Sequence, residues 1–491
     1  MGEGRVTHPP NGSTAPPTMP SVPPQTRGGP PAPAPPSPPP PAPAPPRRTA
    51  WAEGVDRLKA AATTEPGRLR IIGAVLALLV VAFGATTAWQ MTDRSSAADD
   101  VLHSSQPLTA DAADIYRSLA DANTAASSGF LAGGQEPAAV RDRYEKDIRR
   151  AAEKLVTAAA STDPGTPSAR TIARLNTLLP QYKGLIERAR ANNRQGFPLG
   201  GAYLRYANQT MQTEMLPAAE DLYTKENQRL QEDYDAATPY PWIALALGLV
   251  ALGTLGWAQR RNYRRTNRVF NQGLLGATAA TTVVLLWLVV GHTVARSGLE
   301  SSYDHGVKSL NVLHDASIAS LKARGNENLT LVSRGAETVS VQGETRDKYD
   351  VDFQKQMKVL AARLTAADGL AGDDEAGSAP VDKATDSMKE WLKRHDDARA
   401  RDDSGDYQGA LDKIIGSKQG ATGQEKSTGE CFDLVDDSLD KALAHEQQQF
   451  DDDASGGRGA MTGLAAGAAV LAVLAAAGAL LGVGRRLSEY R

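Results

Sequence analysis

The residues in this chain best placed to do chemistry are cationic. Arg260, Arg261, Arg264, Arg265 and Arg268 crowd one short stretch with no acid among them. Guanidinium groups suit lipid phosphates and acidic partner surfaces, because each offers a planar fork of donors. Reactive constellations are missing. There is no phosphate-cradling glycine loop, no HExxH helix, no nucleophile elbow and no kinase motif set. The seven histidines are scattered. His395 precedes Asp396 and Asp397, but adjacent residues leave a helix on different faces, so it reads as solvated surface rather than a metal ligand. Asp373-Asp374-Glu375 and Asp451-Asp452-Asp453 read as solvated acidic loops, able to hold a divalent cation only weakly. The single cysteine, Cys431, cannot form an intrachain disulfide and reads as a small buried apolar residue in a helix. These features predict a protein that is not an enzyme and carries no cofactor or metal.

The elements that position the arginines are apolar. A mean hydropathy of -0.37 suggests a soluble chain, yet residues 71–89, 240–258, 273–294 and 459–484 contain no acid, lysine or arginine. Uncharged apolar stretches of about 18 or more residues read as transmembrane helices. The first lies too deep for a signal peptide and reads as a retained anchor. The spans hold no ionisable residue except His292 at the end of the third, which argues against an ion or proton pathway. Charge gives the orientation. Residues 1–89, 239–292 and 459–491 hold 16 Lys+Arg and 5 Asp+Glu. The stretches between them hold 17 against 20 and 21 against 32. Basic residues near span ends stay cytoplasmic, so both termini and the arginine loop are expected inside and the two long helical segments outside.

Those segments read as copies of each other. Arg141-Asp142-Arg143-Tyr144 pairs with Arg346-Asp347-Lys348-Tyr349 at an offset of 205. Gln231 pairs with Gln447 at 216, so the second copy carries a longer loop. In copy one, the first helix is expected to run from the span to about Leu131 and stop at Gly133-Gly134. Tyr144, Ile148, Ala151, Leu155 and Ala159 form a second seam, and Ile172, Leu175, Leu179, Tyr182 and Ile186 a third. Asp163-Pro164-Gly165 is a turn and 194–200 a loop. The fourth helix carries Leu216, Leu222, Tyr223, Leu230 and Tyr234, started or kinked by Pro217, and Pro239 and Pro241 mark its entry to the membrane. In copy two, Tyr349, Phe353, Met357, Leu360 and Leu364 form the second seam. Met388, Trp391 and Leu392 belong to the third, and Val435, Leu439, Leu443 and Phe450 to the fourth. Polar loops are expected at 369–379 and 416–429, and no strands.

The fold class expected is an all-α membrane protein with four transmembrane helices and two tandem extracytoplasmic four-helix bundles. A proline-rich, disordered cytoplasmic tail fills 1–50, which hold 19 of the 30 prolines. It serves as a solvated tether or as a ligand for aromatic grooves. A basic juxtamembrane segment covers 51–70. The spans are 71–89, 239–258, 273–294 and 459–484; the bundles are 90–238 and 295–458; the arginine loop is 259–272; a short tail ends the chain at 485–491. Gly463, Gly467, Gly478 and Gly482 recur at spacings of four in the last span. Small residues so spaced let helices approach closely, either within the four-span bundle or between copies.

The two-bundle, four-span plan and the loop Arg260-Arg261-Asn262-Tyr263-Arg264-Arg265-Thr266-Asn267-Arg268-Val269-Phe270-Asn271-Gln272-Gly273 resemble the actinobacterial GlnX-type membrane proteins over about 70–491. The resemblance implies an extracytoplasmic solute-binding lipoprotein that senses glutamate, aspartate or glutamine. It further implies a soluble Ser/Thr protein kinase as the cytoplasmic partner. No ligand residue is carried over. The lead expectation is a non-enzymatic signal relay in the plasma membrane, with ligand recognised between 90–238 and 296–457. Copy two, with a net charge of -11, would repel a bare anion, which favours a protein partner. The partners expected are the lipoprotein, the kinase and the lipid bilayer, with no nucleic acid; a homo-oligomer stays open. The alternative is an envelope scaffold that positions cell-wall or division proteins.

Overall fold

Four long helical runs carry the molecule: Gly67–Leu131, Leu199–Arg264, Gln272–Ser333 and Thr428–Arg485. Each is long and apolar enough over part of its length to cross a membrane. They hold 58 to 66 residues, so each measures roughly 90–100 Å at 1.5 Å per residue. A bilayer core takes up about 30 Å, so some two thirds of every run stands clear of it. The structure, a computed structural model, describes residues 63–133, 135–266, 271–416 and 426–488, with only the backbone of 65, 66, 265, 266 and 486–488. Of the two units into which the chain divides, 1–60 lies outside the described residues together with the expected tail; the rest concerns residues 61–491.

The first run is α1 (Glu65–Asp100) and α2 (Gln106–Leu131), joined through a π-helical turn at Val101–Ser105. Next come α3 (Ala138–Ala160) and α4 (Pro167–Arg194). The second run is α5 (Leu199–Thr210), a π turn at Met211–Met215, α6 (Leu216–Ala237) and α7 (Trp242–Thr266). The third is α8 (Gln272–Ser301), a π turn at Ser302–Val307 and α9 (Lys308–Ser333). Then follow β1 (Thr338–Val341), β2 (Glu344–Asp347), α10 (Lys348–Ala371), α11 (Glu375–Asp403) and α12 (Tyr407–Ile415). The last run is α13 (Thr428–Met461) and α14 (Leu464–Ser488).

The apolar ends α1, α7, α8 and α14 pack as a ring in that order. Leu76, Val80, Leu255 and Leu274 fill one layer, and Phe83, Met91, Val284 and Leu288 the next. Leu78, Leu249, Val473 and Leu481 face outward. Such a belt would drive aggregation in water and matches lipid. Trp89 and Trp242 edge the belt at one end, Trp257 and Tyr263 at the other. Beyond the ring, the polar helices share one continuous core. It joins Ile115, Tyr116, Leu155 and Leu175 of the first half to Phe353, Leu364, Val435 and Phe450 of the second.

Much of the expected seam pattern is present. α2 ends at Leu131, with Gly133 at φ 70 just beyond. The α4 stripe from Ile172 to Ile186 is buried. In α3 the seam turns through Ala158, while Ala159 is exposed. Pro217 does not start the fourth helix, which begins at Leu199; it follows the π turn, as Pro107 follows the first one. Proline lacks a donor and crowds the carbonyl four residues back, and a wider turn relieves both. The loop expected at 369–379 shrinks to Gly372–Asp374, because Asp374 accepts from Ala376 N and starts α11 early. Of the loop expected at 416–429, residues 417–425 lie outside the described residues. Asp451–Asp453 lie inside α13 rather than in a loop. The expectation of no strands fails at one hairpin, where Val339 pairs Arg346 across a two-residue turn. Gln342 and Gly343 both adopt positive φ there, the backbone that matches strand twist.

Two joints separate polar from apolar helices. The second run breaks at Pro239 and Pro241. The groups freed there are recovered by α1: Arg94 donates to the Pro239 carbonyl at 2.8 Å, and Gln90 accepts from Ala244 N at 3.3 Å. The fourth run breaks at Gly463, φ 78. Gly463 therefore supplies a left-handed joint rather than a packing notch; a Cβ there would meet nothing within 4 Å. The other glycines lie at close approaches. A Cβ on Gly467 would strike the Trp287 ring, and one on Gly478 would come 3.0 Å from the Gly273 carbonyl. One on Gly482 would lie 2.7 Å from Asn271 Oδ1 and 2.9 Å from Leu274 N. Gly482→Leu is expected to force α14 off α8 and cost about 1–3 kcal/mol, read as a lowered thermal midpoint in detergent. Gly276→Leu, where a Cβ meets nothing, should leave the midpoint unchanged.

Candidate functional site

The two halves meet along a seam set by charge. α13 presents Asp433, Asp436 and Asp440 at helical spacing, so they share one face. Arg143, projecting from α3, donates from Nη1 to Asp433 at 2.8 Å and from Nη2 to Asp436 at 3.0 Å. Its Nε holds Asp121 of α2 at 2.9 Å. Arg117, also on α2, reaches Asp436 at 3.2 Å and pairs with Asp440. Burial works against both guanidiniums, but the surrounding carboxylates hold each above the usual arginine value. Burial, with Asp121 and Asp440 close by, pushes Asp436 up to about 6 in spite of its two cations. Behind Asp121, burial and that neighbouring carboxyl push Asp147 up to about 8. Among the described residues, one Asp147 oxygen is buried without a hydrogen-bond partner, which fits a protonated acid. Neutral bonds extend the seam: Gln106 to Gln447 at 2.8 Å, Tyr223 to Asn311 at 2.6 Å and Tyr234 with Ser302 at 2.7 Å.

A second charged array ties the second half together. Glu327 on α9 is wholly buried. It accepts from Arg324, from Trp391 Nε1 at 3.1 Å and from His395 Nδ1 at 3.0 Å. The other imidazole nitrogen faces Asp350 at 3.0 Å, and the ring stacks on Phe353 at 3.7 Å. Burial works to lower His395, but Asp350 and Glu327 raise it overall. Burial works to raise Glu327 and Asp350, but Arg324 and His395 hold the first below its usual value, and His395 and Arg399 the second. His395 thus lies buried between two carboxylates that favour its charged form, and is not solvated surface. Its position explains this. The buried stripe of α11 runs Val381, Ala384, Met388, Trp391, His395, Ala398, and the histidine occupies the next core position in that series.

Between the halves lies a cavity of about 520 Å³. Thr124, Val140 and Arg143 wall it on one side, Arg324, Ile415 and Phe432 on the other. Its charges are already engaged: Asp121 and Asp433 by Arg143, and Glu430 by the Ser427 cap. The cavity therefore offers mainly apolar contact. Among the described residues, no cluster of histidine, cysteine or acid side chains could hold a metal ion. Asp374 accepts from His445 at 2.6 Å and from Gln449, serving as a cap and anchor. Cys431 is buried and free.

The arginine cluster is described in part. Arg260, Arg261 and Arg264 lie on the last turns of α7, with Arg261 5.5 Å from the Trp257 ring centre. Arg265 is described only as backbone, and Arg268 lies outside the described residues. Nearby, Asn271 caps α8 and donates to the Gly482 carbonyl at 2.8 Å. The seam residues Arg117, Arg143, Asp433, Asp436 and Asp440 escaped a reading that followed apolar periodicity alone. The signal that finds them is an acid stripe flanking Val435 and Leu439.

Glu327→Ala would strand Arg324 and His395 in the core and is expected to cost about 3–5 kcal/mol, read by thermal unfolding. The pH dependence has a definite sign. His395 lies above its usual 6.5 and Asp147 above 3.8. Both raised groups stabilise fully at pH below those values and lose that contribution as pH rises through the raised ones. Glu327 and Asp350 are lowered and lose theirs as pH falls below about 4. Asp436, also raised, loses its contribution over the same lower range as Asp147, so the thermal midpoint should be highest near pH 4 and fall towards pH 8. Relative to the wild type, Asp147→Asn should gain at least about 1.4 kcal/mol more at pH 8 than at pH 4, the worth of one pKa unit; an equal effect at both would refute the protonation state.

Residues 97–235, the polar part of the first half, match the model of a family described as an actinobacterial sensor domain. No curated protein and no solved structure matches the chain. The sensor-domain match and the four membrane-length helices support a sensing role for a membrane protein.

Proposed function

We propose that the protein is a non-enzymatic transmembrane relay. Two tandem helical bundles, copies of one another, stand outside the cell, and both termini and the loop 259–272 lie inside. The bundles recognise a ligand, or a solute-binding lipoprotein loaded with an amino acid such as glutamate, aspartate or glutamine. The signal passes to a soluble Ser/Thr kinase that docks on Arg260, Arg261, Arg264, Arg265 and Arg268. The observation that carries this reading is continuity. α1 passes into α2, and α8 into α9, without a break from the ring to the seam. Each makes its passage through a π turn, at Val101–Ser105 and Ser302–Val307. Packed helices move as small shifts or rotations between discrete arrangements. A change of packing at the seam thus reaches the ring directly. The last helices of each half, jointed at Pro239 and Gly463, can tilt separately.

The test is capture of cytosolic kinase by the full-length protein in nanodiscs, with and without the lipoprotein and amino acids. The relay predicts capture that changes at least about threefold with ligand, a shift of about 0.7 kcal/mol. Replacing the five arginines by glutamine should abolish capture while preserving insertion. Capture that ignores ligand would instead favour the envelope scaffold.

A further inference from the structure

A second cleft, of about 690 Å³, opens between α5 of the first half and α9 and α10 of the second. Its charged groups contrast with those of the seam. Arg205, Lys322 and Lys348 line it together with Glu337 and Asp352. Among the described residues, none of these five makes a hydrogen bond or ion pair through its side chain; Lys322 and Lys348 only approach the rings of Tyr116 and Tyr349. Arg205 stands on α5, Lys322 on α9, Lys348 and Asp352 one turn apart on α10, and Glu337 in the bend before β1, so that all five face one open space. Side-chain amides fill the gaps between the charges. Gln209, Gln212 and Asn326 line the cleft, and their side chains are likewise without protein partners among the described residues. Each offers both a donor and an acceptor, the pairing that a peptide group requires. Gln212 also lies within the π turn at Met211–Met215, and such turns often occur at functional sites.

We propose that this cleft binds a short peptide carrying net negative charge. The three cations take carboxylates, the two acids take an ammonium, and the amides pair with peptide N–H and C=O groups. The lining has one cation in excess, which sets the sign. Size sets the length: Arg205 to Gln212 spans about 10 Å of helix, which matches about three extended residues. The volume falls within the usual range for small-ligand sites, about 300–1,000 Å³. A peptide held there would bridge the halves beside the π turn of the second run. This assignment rests on the sensing reading for its role, but not for its binding.

The test is calorimetry on the full-length protein in nanodiscs at low salt, using triglutamate, trialanine, trilysine and free glutamate. Triglutamate is expected to bind at least tenfold tighter than trialanine or free glutamate, and trilysine not to bind. Arg205→Gln and Asn326→Leu should each weaken triglutamate at least tenfold, with the unliganded thermal midpoint unchanged. No heat from triglutamate up to about 1 mM, a Kd weaker than -4.1 kcal/mol represents, would overturn the proposal. So would binding that both variants leave intact, or free glutamate binding as tightly as the tripeptide. If triglutamate fails while kinase capture still responds to lipoprotein or amino acids, the cleft assignment falls and the relay stands. If triglutamate binds and capture ignores every ligand, the relay falls and the site stands.

Discussion

The grip of Arg117 and Arg143 on the acid face of α13 is the contact that makes one body of two halves. Apolar burial supplies most of the attraction there, since the shared core runs through both halves without interruption. Apolar surface is tolerant of sliding, and paired charge is not. A slip of one helical turn, about 5.4 Å, would move Asp436 off the position that both guanidiniums share and leave one end of the acid stripe without a cation. Breaking such a pair costs about 3–5 kcal/mol, although forming it gains little. The arginines therefore set register more than stability. Asp436, pushed up to about 6 by burial, is shared by two guanidiniums, so its carboxyl has a cation on either side.

Register at the seam matters because the helices that form it are the helices that form the ring. No linker intervenes between α1 and α2 or between α8 and α9. The π turns are the compliant points in those runs, where the hydrogen-bond ladder is already widened. The other two runs are jointed differently. Arg94 and Gln90 stitch the proline break to α1, so that joint is guided by its neighbour. At Gly463 the turn rests on a left-handed backbone conformation, and the tie to α1 lies just before it, where Arg458 pairs with Asp99 at 2.6 Å. Each half thus ties its last run to α1 at the edge of the apolar belt, the first through Arg94 and Gln90 and the second through Arg458.

The sequence made the apolar elements legible and the buried charges obscure. Uncharged stretches and seams such as Ile172–Ile186 follow from periodicity, which needs no knowledge of neighbours. Ala158 displaced Ala159 because 3.6 residues per turn drifts across a stripe that spacing alone cannot phase. The hairpin at Thr338–Asp347 is two short strands, and its cue, Gln342-Gly343 between β-branched residues, was too brief to stand against long helical runs. The acids that follow His395 in sequence point to solvent, whereas its place in the stripe after Trp391 puts it inside. Of the arginine cluster, Arg260, Arg261 and Arg264 extend the last turns of α7, as their place after the apolar span leads one to expect.

Charge summed over a segment is a different quantity from the charge that one site within it presents. The second half carries an excess of acid, which suggested that it repels anions. Yet Asp433, Asp436 and Asp440 are spent on the seam, Asp350 and Glu327 on the core, and Asp374 on a cap. Acids neutralised by a cation at contact distance add little to the field a few ångströms away. What remains is screened over about 8 Å at physiological ionic strength. A ligand entering the cleft between α5, α9 and α10 therefore responds to the groups that line it, where Arg205, Lys322 and Lys348 outnumber Glu337 and Asp352. The sign of a site is set by which charges the fold has left unpaired, and pairing is decided by register, which returns the question to the two arginines that fix it.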